Sequence, residues 1–282
     1  MVTPNKVDEF LTTNGYSSST IKRYGRALEL AHKDLDLGKL TAVEFTEWLD
    51  CHGWGSSMKW VVYSAVRGFI RWQYGNEHPA LKLKIKRTPA SPQRTLSIED
   101  ASKILAIFDT QTIKGIRDLS ICAVMLDAGL RSVEIRNLEA ERIDLTGRRL
   151  AVICKGGNWG YGVFSLYTAM YLTNWFRVRE DVAVSKYAFV GLRSGKGKQL
   201  TRGGFGAIVR SWGVAAGIKL SPHDFRRSFA TISTQIGAPS RVVQEAGRWS
   251  DINMVERYTQ AINASDFEEY FPVRGIMEKQ GN

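Results

Sequence analysis

Apolar residues recur every three to four positions over most of the first 78 residues, a period that predicts helices. The stretch SSSTIKRYGRALELAHKDL opens with hydroxyl residues that can cap a helix, and it carries Tyr24, Leu28 and Ala31 on one face. In TAVEFTEWLDCHG, Thr41 stands three residues before Glu44, which is the spacing of a capping box. We therefore predict that the N-terminal region is helical throughout.

A further helix is predicted in SSMKWVVYSAVRGFIRWQYG, where apolar and small residues form a stripe that favours packing against other helices. The stripe consists of Trp60, Val61, Ser64, Ala65, Gly68, Phe69 and Trp72. The basic residues outside the apolar faces form either a solvated surface or contacts for phosphates. These basic residues are Lys22, Arg23, Arg26, Lys59, Arg67 and Arg71.

The chain changes character in HPALKLKIKRTPASPQRTLS. Three prolines and five basic residues stand between Pro79 and Arg94 with no acidic residue, which predicts an extended, positively charged segment that packs no core. Such a segment can lie along phosphates. Its candidates for that contact are Lys82, Lys84, Lys86 and Arg87. We place a helical domain at residues 1–87, a basic linker at 88–95 and a second domain at 96–282.

Helical and strand patterns mix after this linker. SIEDASKILAIFD begins with a Ser-x-x-Asp cap, KGIRDLSICAVMLDAGL predicts a buried helix ending at Gly129, and RSVEIRNL adds a helical turn. RIDLTGRRLAVICKGGNWGYGVFSLY instead has β-branched runs between glycine-containing turns, which predicts a short antiparallel sheet, and helices resume near Thr168. The predicted fold class is mainly α with a small antiparallel β-sheet (α+β).

Composition narrows the class of protein. The 282 residues include 44% apolar residues, enough for two cores. A net charge of +11 favours a polyanionic partner, either nucleic acid or an anionic membrane surface. We expect a soluble intracellular protein without a membrane partner, because no apolar run approaches the roughly 20 residues of a spanning helix and no secretion signal precedes the helices. Cys51, Cys122 and Cys154 lack CxxC spacing, so we expect buried thiols.

A cationic cluster lies in SPHDFRRSFA. If this stretch is helical, His223, Arg226 and Arg227 project from one face, because they are three and four residues apart. Such a cluster suits a large anion. Two other segments carry candidate chemistry: DAGLRSVEIRNL has an arginine after a Gly-Leu helix break, and CKGGNWGYG has a lysine at the tip of the predicted hairpin.

These segments and the C-terminal VQEAGRWSDINMVERYTQ supply six candidate residues in a fixed order. They are Arg131, Lys155, His223, Arg226, Trp249 and Tyr258. The set resembles the tyrosine recombinases, the phage integrase family, whose signature is an Arg after a Gly-Leu turn, a hairpin Lys, an H-x-x-R pair, and a His or Trp with a Tyr nine residues later. The resemblance covers about residues 95–265.

Three positions depart from the usual family pattern. Phe225 replaces a leucine, Arg227 replaces a second histidine, and Arg248 stands directly before Trp249. The departures keep every catalytic residue type and change the packing around it. The resemblance implies a C-shaped clamp around DNA, made of an N-terminal helical core-binding domain of the SAM-like type and a C-terminal mixed catalytic domain.

The resemblance also implies the reaction. Tyr258 would attack a DNA phosphodiester, giving a 3′-phosphotyrosine and a free 5′-hydroxyl. Arg131 and Arg226 would stabilise the charge that gathers on the phosphorane oxygens, because guanidinium groups donate bidentately to phosphate. Lys155 would protonate the departing 5′-oxygen.

Three residues have two interpretations each. His223 either takes the proton of the tyrosine or positions the phosphate. Trp249 either donates its indole N–H to the phosphate or belongs to the core. Glu134, one helical turn after Arg131, either orients that guanidinium or forms an ordinary solvated pair.

We expect no metal, no ATP and no other cofactor, because two guanidiniums can supply the positive charge and the sequence has neither a carboxylate cluster nor a P-loop. The expected partner is double-stranded DNA with specific recombination sites. In the resembled family, four protomers assemble on two sites; we expect a tetramer on DNA and a monomer when free. The apolar tail after Tyr258 either docks on a neighbouring protomer or packs in cis.

Site-specific recombination, whether integration, excision or resolution, is the function implied by the resemblance. The protein would act in the cytoplasm in association with the nucleoid. Alternatively, it would be encoded by a virus or mobile element and act in the host cell. Two alternatives remain at this point: relaxation of supercoils in the manner of a type IB topoisomerase, and non-catalytic regulation by DNA binding on the same fold.

Overall fold

The computed structural model describes residues 4–86, 93–154, 157–182, 184–193, 195–253 and 255. The chain divides into two compact units, Met1–Ser91 and Pro92–Asn282. The boundary lies inside the linker predicted at 88–95; residues 87–92, which include the phosphate-contact candidate Arg87, lie outside the described residues. The described fold is mainly helical with a three-stranded antiparallel sheet, so the predicted fold class is confirmed.

The helices of the first unit begin where the sequence places their caps. The described helices of this unit are α1 (Pro4–Thr13), α2 (Ser18–Asp34), α3 (Ala42–Cys51) and α4 (Ser56–Tyr74). The Ser17 side chain accepts the backbone N–H of Thr20, and Thr41 and Glu44 form the predicted capping box. Each cap of this kind contributes about 1 kcal/mol to helix stability.

Helix α4 packs against α1, α2 and the segment that follows it. Because it has neighbours on several sides, its buried arc is wider than one stripe and is rotated from the predicted one. Ala65 and Phe69 are buried as predicted, whereas Trp72 is 36% exposed. The buried residues of α4 are Val62, Tyr63, Ala65, Val66, Phe69 and Ile70.

The start of the predicted linker packs on the first unit. Pro79–Lys82 forms a 3-10 helix, and Ala80 and Leu81 are buried in the core of this unit. The prediction that this stretch packs no core was therefore wrong up to residue 86. Apolar and basic residues alternate there. Because successive side chains of an extended chain point to opposite sides, the apolar side chains face the first unit. The exposed members of the alternation are Lys82, Lys84 and Lys86.

The second unit combines helices with the sheet. Its described helices are α5 (Ile98–Ala106), α6 (Ile113–Ala128), α7 (Ser132–Asn137), α8 (Leu166–Arg179), α9 (Arg202–Ala216), α10 (Pro222–Gln235) and α11 (Ser240–Gly247). The strands β1 (Ile143–Asp144), β2 (Arg149–Ile153) and β3 (Trp159–Val163) pair in sequence order. Ala151 of β2 lies opposite Tyr161 of β3. The predicted restart of helix at Thr168 was late, since Ser165 already caps α8.

Helix α6 lies at the centre of the second unit and packs against α5, α8, α10 and β3. Its residues Cys122 and Met125 are fully buried. Cys122 matches the expectation of a buried thiol and Cys154 is half-buried, but Cys51 is exposed because it is the last residue of α3. Within the described part of the chain, no helix combines the length and apolarity that a bilayer span requires.

Candidate active site

Two helix ends carry much of the candidate site. Helix α6 ends at Gly129, which has the left-handed φ of 54°, and α11 ends at Arg248, with φ of 56°. Gly129 also needs to lack a side chain, because a Cβ there would lie 2.6 Å from the ring of Phe229. The chain leaves these ends directly into Arg131 and Trp249.

Arg131 is held by a buried carboxylate. Its Nη1 donates to Oε1 of Glu134 at 2.6 Å, and its backbone N–H donates to Oε2 at 2.8 Å. The Glu134 side chain is 0% exposed, whereas that of Arg131 is 28% exposed. A fully buried carboxylate is not a solvated surface partner, so the geometry favours the orienting role for Glu134.

Arg226 is buried between the ends of both helices. Its guanidinium donates to the carbonyl of Gly129 and, at 2.6 Å, to the carbonyl of Gly247. The ring of Trp249 covers the guanidinium, with 4.4 Å between Cζ and the ring centroid. Trp249 is itself 7% exposed and stacks on Phe229. It therefore belongs to the core and, at the same time, contacts the candidate arginine.

His223 is exposed in this arrangement, one helical turn before Arg226 on α10. Its pKa is lowered, first by the partial loss of hydration and then by the positive charge of Arg227; Asp224 opposes the shift, and Arg226 and Arg131 add to it. The neutral form of the imidazole is therefore favoured first by the partial loss of hydration and then by the cations that would bind a phosphate.

Asp224 organises the cationic face of α10, a role that the sequence interpretation missed. Its Oδ2 accepts from Arg94 Nη2 at 2.5 Å, and Arg227 Nη1 donates to its Oδ1 at 3.4 Å. It also closes a capping box with Ser221, so the S-x-x-D spacing of the sequence was the available signal. The cationic face borders a depression of about 240 Å³, lined by Gln93, His223, Arg226 and Arg227.

Two of the six candidates lie outside the described residues: Lys155 and Tyr258, together with the tail after Tyr258. The flanks of Lys155 are described, and the backbone N–H of Cys154 donates to the carbonyl of Asn158 at 2.8 Å. The structure thus brings Arg131, His223, Arg226 and Trp249 into one region of the second unit. Among the described side chains, no three His, Cys, Asp or Glu residues are grouped as metal ligands would be.

The phosphate-contact candidates of the first unit differ in their availability. Lys59 is paired with Asp50 and only partly exposed. Arg67 does not have the exposed side chain that we expected, because its Nη1 donates to the carbonyls of Leu81 and Leu83 at 2.6 and 2.8 Å. The exposed candidates on the helices of this unit are Lys22, Arg23, Arg26 and Arg71.

Known proteins resemble the chain over most of its length. A model described as the phage integrase family matches residues 94–264. The tyrosine recombinase XerA of Thermococcus kodakarensis is 28% identical over 271 residues, covering 92% of each chain. The tyrosine recombinase XerC of Proteus mirabilis is 30% identical over 208 residues, which cover 70% of this chain and 66% of that protein. A solved structure of the XerH site-specific recombinase, bound to palindromic difH after cleavage, has a similar fold, with TM-score 0.73, 19% identity and coverage of 88% and 78%.

Proposed function

Because this chain belongs to the phage integrase family and is a tyrosine site-specific recombinase, we propose that it cleaves and rejoins DNA through a 3′-phosphotyrosine on Tyr258. The hydroxyl oxygen of Tyr258 bonds to phosphorus, and the bond from phosphorus to the 5′-oxygen breaks. The incoming 5′-hydroxyl later reverses the step. The energy of the phosphodiester is kept in the covalent link, so the exchange needs no ATP.

The observation that carries this proposal is that two arginines close enough to influence His223 are each fixed by the fold: Arg226, which lines the depression on α10, and Arg131. Arg226 is fixed by two carbonyls and by the ring of Trp249, and Arg131 is fixed by Glu134. Each guanidinium is therefore oriented before the substrate arrives. Preorganised donors of this kind stabilise the negative charge that develops on a phosphorane and lower the barrier.

Proton transfer would use the two remaining candidates. We assign Lys155 as the acid that protonates the 5′-oxygen, because a lysine between β2 and β3 has a flexible side chain and an acidic N–H. The lowered pKa of His223 favours its neutral form, which can accept a proton. A bound phosphate would offset the charges of Arg131, Arg226 and Arg227, and would raise the pKa of His223 in the complex.

No metal ion is needed in this mechanism, since the guanidiniums carry the positive charge that a divalent ion supplies in other phosphoryl-transfer enzymes. Cleavage should therefore proceed at the same rate in EDTA and in magnesium. A rate that depends on added magnesium would contradict this part of the proposal.

The partner we propose is double-stranded DNA with specific sites, as the XerH complex with difH supports. The first unit would contact phosphates through its exposed basic residues, as a core-binding domain. We propose a tetramer on two sites, with the tail docked on a neighbouring protomer, and action in the cytoplasm or nucleoid. A chain truncated after Asn263 should bind a half-site and fail to form tetramers; normal assembly by the truncated chain would contradict tail docking.

A nicked suicide substrate tests the reaction. The nick lets the 5′-hydroxyl fragment diffuse away, so that the covalent adduct accumulates and is resolved on a denaturing gel. We expect an adduct with the wild type and none with Tyr258→Phe. The matched control is Tyr167→Phe, a tyrosine with 72% exposure on α8, which should cleave normally.

The comparisons favour recombination over the two alternatives, and the same assay separates them. A topoisomerase-like enzyme would relax plasmid that lacks a recombination site. A DNA-binding regulator would bind the substrate and form no adduct. Either result would replace the function that we propose.

A further inference from the structure

Arg248 occupies a backbone position that normally favours glycine. It ends α11 with φ of 56° and ψ of 45°, the left-handed conformation in which a side chain is disfavoured. In the described part of the chain, the other non-glycine residue with positive φ is Arg148, whose side chain is exposed. The side chain of Arg248 is only 8% exposed. An arginine that is both strained and buried points to a role for its guanidinium.

The guanidinium of Arg248 connects three segments of the second unit and lies near a fourth, α7. Its Nη2 donates to the carbonyl of Ala128 at the end of α6, at 3.0 Å. Its Nη1 donates to the carbonyl of Ala246 in α11 at 2.8 Å, and reaches the carbonyl of Tyr161 in β3 at 3.4 Å. The same Nη2 lies 3.6 Å from Oε2 of Glu134, the carboxylate that also holds Arg131.

Strand β3 leaves room for this side chain. A Cβ at Gly160 would come within 2.8 Å of Cδ of Arg248, and a Cβ at Gly162 would come within 3.2 Å of Nη1. The strand thus has glycine at both points where the arginine passes. The side chain and the strand fit each other, so the contacts belong to the fold of this chain.

We propose that Arg248 is a positioning residue for the recombination reaction. It fixes Glu134, and through Glu134 the guanidinium of Arg131. It also ties β3, the strand that follows the Lys155 loop in the sequence, to the ends of α6 and α11. Arg248 itself would not contact the phosphate, because its Nη donors face carbonyls and the carboxylate and its Nε is buried, without a hydrogen-bond partner among the described residues. The inference rests on the proposed function, since it assigns a task within the same site.

The test compares two arginine-to-glycine changes. Arg248→Gly and Arg148→Gly both relieve a left-handed residue and both remove one positive charge. Single-turnover cleavage of the nicked substrate, DNA affinity and urea unfolding are measured for each. We expect Arg248→Gly to cleave about 10–100-fold more slowly, the range for loss of a group that orients an active-site ligand, with DNA affinity within about twofold of the wild type. Arg148→Gly should match the wild type.

A double-mutant cycle with Glu134→Gln separates positioning from a general structural effect. If Arg248 acts through Glu134, the double variant cleaves no more slowly than the slower single variant. Multiplied rate losses would overturn the proposal, and so would wild-type cleavage by Arg248→Gly. Should Arg248→Gly fail to fold, Arg248→Lys replaces it; Lys keeps the charge and the stem but loses the fork, and cleavage at the wild-type rate would equally refute the idea.

The same double-mutant cycle can be measured with the free energy of unfolding in place of the cleavage rate. This measurement does not depend on catalysis. A coupling between Arg248 and Glu134 there supports the positioning contact even if the wild type forms no adduct. An absent adduct contradicts the proposed function, whereas an absent coupling contradicts the inference. The two failures are therefore distinguishable.

Discussion

Replacing Glu134 by glutamine probes the contact on which the geometry of Arg131 depends. Both carboxylate oxygens are engaged: Oε1 accepts from Arg131 Nη1 at 2.6 Å, and Oε2 accepts from the Arg131 backbone at 2.8 Å. Arg248 Nη2 lies 3.6 Å from Oε2. A glutamine offers one oxygen and one NH₂ group, so one of these donors must face another donor. It also removes the only charge that the described carboxylates place between the two arginines.

The size of the effect follows from burial. Glu134 is 0% exposed in its side chain and Arg248 is 8% exposed, so the charges are not screened by water. Removing one partner of a buried pair costs 3–5 kcal/mol, and we take the lower end, about 3 kcal/mol, because the amide oxygen can keep one bond. For a domain of this size, roughly 2–4 °C is lost per kcal/mol, so the melting temperature should fall by roughly 6–12 °C.

The assay combines thermal unfolding with single-turnover cleavage at saturating DNA. The matched control is Glu245→Gln, which breaks an exposed pair with Arg241 (3.0 Å, side chains 66% and 75% exposed). Exposed pairs of this kind contribute roughly 0.2–1 kcal/mol, so the control should unfold near the wild type and cleave normally. If Glu134→Gln unfolds together with the control and cleaves at the wild-type rate, the carboxylate does not hold Arg131 in place.

Three further predictions concern the protonation of His223, the role of Arg131 at the phosphate and the salt dependence of DNA binding. Because folding lowers the pKa of His223, the unfolded chain binds a proton at this residue more readily than the folded chain does. The free energy of unfolding should therefore decrease as the pH falls through about 6.5. In urea titrations, His223→Gln should reduce this decrease between pH 8 and pH 5. Arg131→Ala should leave the affinity for a DNA half-site nearly intact and raise the activation free energy of cleavage by roughly 3–4 kcal/mol. Weak DNA binding by this variant would instead assign Arg131 to docking. Changing Lys82, Lys84 and Lys86 to glutamine should reduce the slope of log affinity against log salt concentration by about 0.9 per lost phosphate contact. An unchanged slope would show that these lysines do not contact phosphates.

Local patterns were enough to predict several of the helices and some of their caps. The capping box at Thr41 and the glycine stop at Gly129 depend on residues within one turn, which a sequence displays directly. The buried arc of α4 was mispredicted because it depends on which neighbours the helix has. Burial of Leu81 was missed for the same reason: the prolines and lysines indicate an extended segment, but not the surface on which it lies.

The candidate site shows the same division. The order of residue types picked out Arg131, His223, Arg226 and Trp249, which the structure places near one another; their roles, like those of Lys155 and Tyr258, remain predictions. Glu134, which holds Arg131, is three residues away, whereas the contacts that hold Arg226 and Asp224 come from positions far apart in the sequence. Arg226 reaches Gly129 and Gly247, and Arg94 reaches Asp224 across 130 positions. The packing of α10 against α6 and α11 creates the contacts of Arg226.

A cluster of cations needs counter-charge before DNA arrives, and the fold supplies it from helix ends. The last carbonyls of a helix lack intrahelical partners and carry the negative end of its dipole. The ends of α6 and α11 meet the guanidiniums of Arg226 and Arg248, which donate to Gly129, Gly247, Ala128 and Ala246. The arginines thus satisfy carbonyls that would otherwise need water, and the carbonyls offset part of their mutual repulsion. Weakening the contacts of Arg226 should therefore disturb the free protein more than the DNA complex, in which the phosphate provides the missing negative charge.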